Sequence, residues 1–189
     1  MKKLNLQFIL VMMALLLGLG ISNQAQASPG TPYGSERWHQ AKVTYVIQTK
    51  STYYRKVYKQ AIKTWNATGK FKFVAGSSKH HQVVLTTSTN TSQRGGEVAG
   101  NTTSYSNRAG YYTSAKVKLL TKNLQRNHYS ETQRCKVAEH ELGHVIGLNH
   151  STNSHSVMLS TNRYNGITKA DKNAVHQRYT TKVGKGTLN

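Results

Sequence analysis

From Lys42 onward the chain alternates between two rhythms of apolar and polar positions. Alternation with period two, carried by β-branched and aromatic residues, predicts strands at Lys42-Val43-Thr44-Tyr45-Val46-Ile47, around Phe71 and Phe73, at Gln82-Val83-Val84-Leu85-Thr86, and at Ala115, Val117 and Leu119. The helical rhythm appears at Tyr54, Val57, Tyr58, Ala61, Ile62 and Trp65, with Thr49 or Ser51 placed to cap and Gly69 to close. That aromatic stripe is expected to pack against the sheet. A capping box at Ser130-Glu131-Thr132-Gln133 opens a second helix, whose Val137, Ala138, Leu142, Val145 and Ile146 should anchor it to the sheet. A further box, Thr168-Lys169-Ala170-Asp171, opens a third, with Ala170, Ala174, Val175 and Tyr179 on one side and His176 at the surface.

Between these elements the pattern weakens. Thr86 to Asn107 is rich in Ser, Thr, Asn and Gly, and within it Glu97-Val98-Ala99-Gly100-Asn101-Thr102 is faintly strand-like. Residues 28–37, which hold both prolines, read as a loop leading to Trp38, and 181–189 as a flexible tail. Residues 38–180 then form one domain with an α+β pattern, and no internal repeat is present.

The first 27 residues stand apart. Lys2 and Lys3 precede an apolar run from Phe8 to Leu17 and on to Ile21, followed by Ala25-Gln26-Ala27, which is the layout of a secretory signal peptide cleaved after Ala27. An uncleaved membrane anchor is the alternative, although the run is short for spanning. The formal charge is +20, with 26 Lys and Arg against 6 Asp and Glu. Such a field concentrates polyanions, so anionic cell-wall polymers are candidate partners of an exported chain, and plain solubility is the competing explanation. The basic residues are spread along the chain without an aromatic-basic motif, so nucleic acid is not expected. Cys135 is the single cysteine, which excludes an intramolecular disulfide and leaves stability to packing.

The chemistry gathers in His140-Glu141-Leu142-Gly143-His144-Val145-Ile146-Gly147-Leu148-Asn149-His150. At about 100° per residue, His140 and His144 project from one helix face, about 6 Å apart along the axis, and can share an ion. Glu141 lies beside that face, within reach of a water. Gly147 suits the left-handed position that ends a helix, which lets His150 return as a third nitrogen ligand and leaves one tetrahedral position open, as in catalytic zinc sites. Cys135, five residues before His140, is rotated about 140° from it and should be a buried residue pointing away from the ion. Glu139 is expected to be solvated, with contact to the ligands as the alternative.

This segment resembles the metzincin signature H-E-x-x-H-x-x-G-x-x-H, and Ser156-Val157-Met158 resembles its methionine turn, with Met158 beneath the ligands. Leu148 and Ser151 are most similar to the matrixin branch. The resemblance implies a mixed, twisted sheet of about five strands, two backing helices of which the second carries the motif, the methionine turn, and a C-terminal helix. It also implies a secreted zinc endopeptidase with one catalytic ion bound by His140, His144 and His150 and with Glu141 as general base. By the same resemblance a polypeptide substrate lies extended along an edge strand at Val98, Ala99 and Gly100, and Tyr164 lines the pocket for the side chain after the scissile bond. Matrixins commonly hold calcium and a second zinc, but Asp171 is the only aspartate here, so neither is expected. A monomer is expected. Two rival readings remain at this level: a non-catalytic cationic envelope-binding protein on the same scaffold, and a metal-dependent amidase acting on peptidoglycan peptides.

Overall fold

The structure, a computed structural model, describes residues 30–90 and 98–187. The expected signal peptide and Glu97 lie outside the described residues. The elements are β1 (Lys42–Ile47), α1 (Thr52–Ala67), β2 (Lys72–Ala75), β3 (Val83–Ser88), β4 (Gly100–Ser106), β5 (Tyr112–Leu120), α2 (Thr121–Arg126), α3 (Glu131–Ile146) and α4 (Lys169–Thr180). Five strands form one sheet in the order β2-β1-β3-β5-β4. The first four run parallel, and β4 lies antiparallel to β5 at the edge. The expected mixed sheet is present.

Strand pleating places Val43, Phe73, Val83, Leu85, Ala115, Val117 and Leu119 on one face, and all are buried. Against that face pack α1, through Val57, Tyr58, Ala61, Ile62 and Trp65, and α3, through Ala138, Leu142 and Val145. Burying each such large apolar side chain contributes about 1.5–3 kcal/mol, so the two helices are fixed by one shared core. Ser51 is the cap of α1, its Oγ accepting from the Tyr54 amide at 3.4 Å, and Gly69 at φ 68° turns the chain out of the helix.

Two features differ from expectation. Helix α2 has no counterpart in the sequence pattern, because six residues are too few for a periodic stripe and its start at Leu120 has no side-chain cap. It nevertheless buries Leu124, and Asn123 Nδ2 donates to the Val98 carbonyl at 2.8 Å, supporting the approach to β4. The second difference is the tail. Residues 181–187, expected to be flexible, are tied to the N-terminal segment: the Gly184 amide donates to Ser35 O at 2.9 Å and the Thr187 amide to Tyr33 O at 3.1 Å.

The knot of that tether is Arg178, which is 0% exposed and has no ion pair among the described residues. Its guanidinium donates to the carbonyls of Gly34, Lys185, Thr181 and Lys182 and lies 5.1 Å from the Tyr33 ring centre. Both ends of the domain therefore meet on one cation. An Arg178→Met substitution leaves those carbonyls without their donor and is expected to lower stability by about 2–4 kcal/mol. Urea unfolding of the two proteins checks this, and an unchanged midpoint would show that the clamp does not hold the ends.

Candidate metal and catalytic centre

Helix α3 presents the site, and its two ends are unusually well secured. At its start, Ser130 Oγ accepts from the Gln133 amide while Gln133 Oε1 accepts from the Ser130 amide at 2.8 Å, closing the expected capping box. At its end every carbonyl of the last turn finds a donor. Gly143 O accepts from the Leu148 amide and His144 O from the Gly147 amide, each at 3.0 Å. Val145 O accepts from Trp38 Nε1 at 2.8 Å, and Ile146 O from the Tyr179 hydroxyl at 3.0 Å. A helix end normally leaves these acceptors to solvent, so their satisfaction fixes where the chain turns. Gly147, at φ 107°, makes the turn and sends the chain back towards the His face.

The three imidazoles converge as expected. His144 Nε2 lies 3.1 Å from His140 Nε2 and 3.3 Å from His150 Nε2. The opposite ring nitrogens are engaged elsewhere: His140 Nδ1 lies 2.8 Å from the Val157 carbonyl and His144 Nδ1 2.9 Å from that of Leu148. A carbonyl only accepts, so each Nδ1 carries the proton, and both Nε2 atoms are left with lone pairs. Burial also pushes His140 down to about 4 and His144 down to about 3, and lowers His150 as well, which keeps the rings neutral near pH 7. Lone pairs packed about 3 Å apart cannot bond to one another. A cation that accepts three nitrogens resolves the conflict, and zinc suits that donor set. Among the described residues no fourth His, Cys, Asp or Glu joins the cluster.

Glu141 is 5% exposed, and burial raises its carboxyl to about 7. Thr102 Oγ1 donates to its Oε2 at 2.7 Å and opposes that rise. Gly100 shows why a glycine occurs there: a Cβ on it would come within 2.6 Å of Glu141 Oε1. The side chain thus rests directly on the backbone of β4. Thr102 was not among the sequence candidates, and only the strand's alternation, which turns Gly100, Thr102 and Ser104 inward, could have signalled it.

Met158 is 0% exposed and packs against Gly143 of the ligand helix. Gly143, immediately before His144, makes room for it, since a Cβ there would overlap Met158 Sδ. Asp171, read from sequence only as a helix cap, does far more. It is fully buried, and its carboxylate accepts from Ser156 Oγ, Thr31 Oγ1, the Val157 amide, and both the amide and hydroxyl of Thr168. Val157 in turn offers the carbonyl that orients His140, and Asn162 Nδ2 donates to that same oxygen at 3.0 Å.

A cleft of about 830 Å³ opens over this centre. Val98, Ala99 and Gly100 border it, together with Thr102, Tyr112, Tyr129, Val137, Asn149 and Asn162. Tyr164 does not. It is 71% exposed and outside the cleft wall, because Asn162 Oδ1 accepts from the amides of Tyr164 and Asn165 and turns the chain outward. The wall there is built by Tyr129 and Val137 instead. Glu139 also departs from expectation: it is 2% exposed, and its Oε2 pairs with Lys136 Nζ at 3.1 Å rather than with solvent.

A mixed five-stranded sheet, a backing helix that carries two of three converging imidazoles, and a carboxyl beside them define a domain of the zinc-peptidase kind. The family model for matrixins matches residues 37–180, and the chain belongs to the matrixin family. No curated protein matches it. Family membership implies zinc and supports a metalloprotease function, and the three histidines form a possible metal site suited to that ion.

Cys135 is buried, as expected, and lies outside the histidine cluster. Burial raises its thiol to about 11, so at pH 8 it is expected to remain protonated and to resist iodoacetamide while the protein is folded. Mass spectrometry after timed alkylation reads this directly. Rapid modification of the folded chain at pH 8 would contradict the assigned burial.

Proposed function

We propose that the protein is an exported zinc-dependent endopeptidase that uses Glu141 as general base. The observation that supports this most strongly is the juxtaposition of three neutral imidazoles, two of them oriented by backbone carbonyls, with a buried carboxyl at the base of a cleft bordered by an edge strand. His140, His144 and His150 would hold the zinc through Nε2. The ion supplies Lewis acidity, which acidifies water and polarises a scissile carbonyl.

The remaining chemistry belongs to the chain. Glu141, raised to about 7 by burial, is poised to take a proton from water near neutral pH and to return it to the leaving amine. Thr102 holds the carboxyl by a hydrogen bond, and Gly100, lacking a Cβ, leaves the space that the carboxyl occupies. An unpaired edge at β4 offers backbone donors and acceptors to an extended polypeptide of any sequence, while Tyr129 and Val137 present apolar surface to one of its side chains. The Lys2-Lys3 and Ala25-Gln26-Ala27 layout supports export.

Glu141→Gln keeps the shape of the side chain and removes its basicity. The substituted protein is expected to retain zinc while losing casein hydrolysis by about 10² to 10⁴-fold. Zinc content and proteolysis measured on the same sample separate the outcomes. Comparable hydrolysis by the variant would exclude the assigned role, and chelator-insensitive hydrolysis by the unsubstituted protein would exclude the metal.

A further inference from the structure

Among the described residues, no helix with a long apolar stripe packs on the face of the sheet opposite the cleft. Strand alternation that turns Gly100, Thr102 and Ser104 towards the centre turns Asn101, Thr103 and Tyr105 the other way, and the register carries this face across the sheet. Asn101 stands opposite Lys118 and Thr103 opposite Lys116; β5 is level with Val84 and Thr86 of β3, and at the far side Lys42 stands opposite Lys72. Lys42, Lys72 and Lys116 are exposed and Lys118 half-buried. None of the strand positions on this face carries a carboxylate. Among the described residues the only ion pair in the domain is Lys136 with Glu139, so these four lysines have no anionic partner.

This arrangement has a cost that fold alone does not repay. Lys42 and Lys72 stand level on neighbouring parallel strands, and two exposed like charges side by side repel. Lysines on edge strands guard against aggregation, and that accounts for Lys72 on β2. It does not account for Lys42 on β1 or for Lys116 and Lys118 on β5, which are interior strands. The lysines run diagonally over a span on the order of 25 Å, taking strand spacing and rise per residue as guides. Tyr105 and Val74 are the exposed large apolar side chains of this face among the described residues, Val46 and Val84 being half-buried, so little is offered for insertion into a bilayer, and Tyr105 alone offers a ring on which a base could stack.

We propose that this outer sheet face docks a linear, base-free phosphodiester polymer, held by Lys42, Lys72, Lys116 and Lys118 through charge. Charge complementarity selects a polyanion, and the flat, aromatic-poor surface suits a repeating phosphate chain rather than bases or acyl chains. Because the face lies across the sheet from Glu141, a bound polymer leaves the cleft open.

The test compares two full-length variants of equal charge loss. One carries Lys42→Gln, Lys72→Gln, Lys116→Gln and Lys118→Gln; the other carries Lys56→Gln, Lys59→Gln, Lys63→Gln and Lys169→Gln on the exposed faces of α1 and α4. Binding to a fluorescent base-free oligomer of deoxyribose phosphates is titrated against salt. The outer-face variant is expected to lose at least tenfold in affinity at low salt, with its salt slope reduced by about three, and the helix variant to keep both. Equal losses in the two variants would mean that net charge alone is responsible and would overturn the proposal. Markedly tighter binding to a DNA strand of the same length would place nucleic acid on the face and overturn it. So would phosphatidylglycerol vesicles that bind through these lysines while the oligomer does not.

Discussion

The centre depends on two hydrogen bonds that point away from it. By accepting from His140 Nδ1 and His144 Nδ1, the carbonyls of Val157 and Leu148 decide which nitrogen of each ring is bare. The fold then brings the bare nitrogens together in a buried place, where their lone pairs repel and protonation is suppressed. Such an arrangement is costly unless an ion relieves it, so the energy of metal binding and the energy of closing this part of the fold are coupled.

Much of the domain serves to keep those two carbonyls still. Leu148 is fixed by the turn at Gly147, by a bridge to Tyr33, and by the donors that satisfy the end of α3. Val157 is fixed by Asp171, which gathers the methionine turn, the start of α4 and Thr31 of the N-terminal segment on one carboxylate. Arg178 performs the matching task with the opposite charge, gathering carbonyls from both ends of the domain. Two buried charges, each satisfied by neutral groups, therefore tie the periphery to the ligands.

The parts of this that were legible in the sequence share a physical trait: they are local. The stripe from Tyr54 to Trp65, the capping boxes at Ser130 and Thr168, and the spacing of His140, His144 and Gly147 all express their geometry within a few turns of helix. Strand β4 was only faintly legible, and it begins later than expected, because its inward positions are Gly100, Thr102 and Ser104, which face a cleft instead of an apolar core and so break the usual alternation. The role of Asp171 was hidden because it bonds Thr31 across 140 positions of chain. Glu139 was misread as solvated since nothing in the pattern shows that Lys136 folds over it, and Tyr164 was misplaced because the turn made by Asn162 depends on side-chain bonds that spacing does not encode.

The central claim is that three imidazole nitrogens, and no other protein group, hold the metal. X-ray absorption at the zinc edge of the purified protein tests it most directly. The account predicts one zinc per chain with three histidine nitrogens at about 2.0 Å and an exchangeable water oxygen completing the shell. A sulfur scatterer from Cys135, a fourth histidine, or a protein that purifies and remains folded with no affinity for zinc would contradict it.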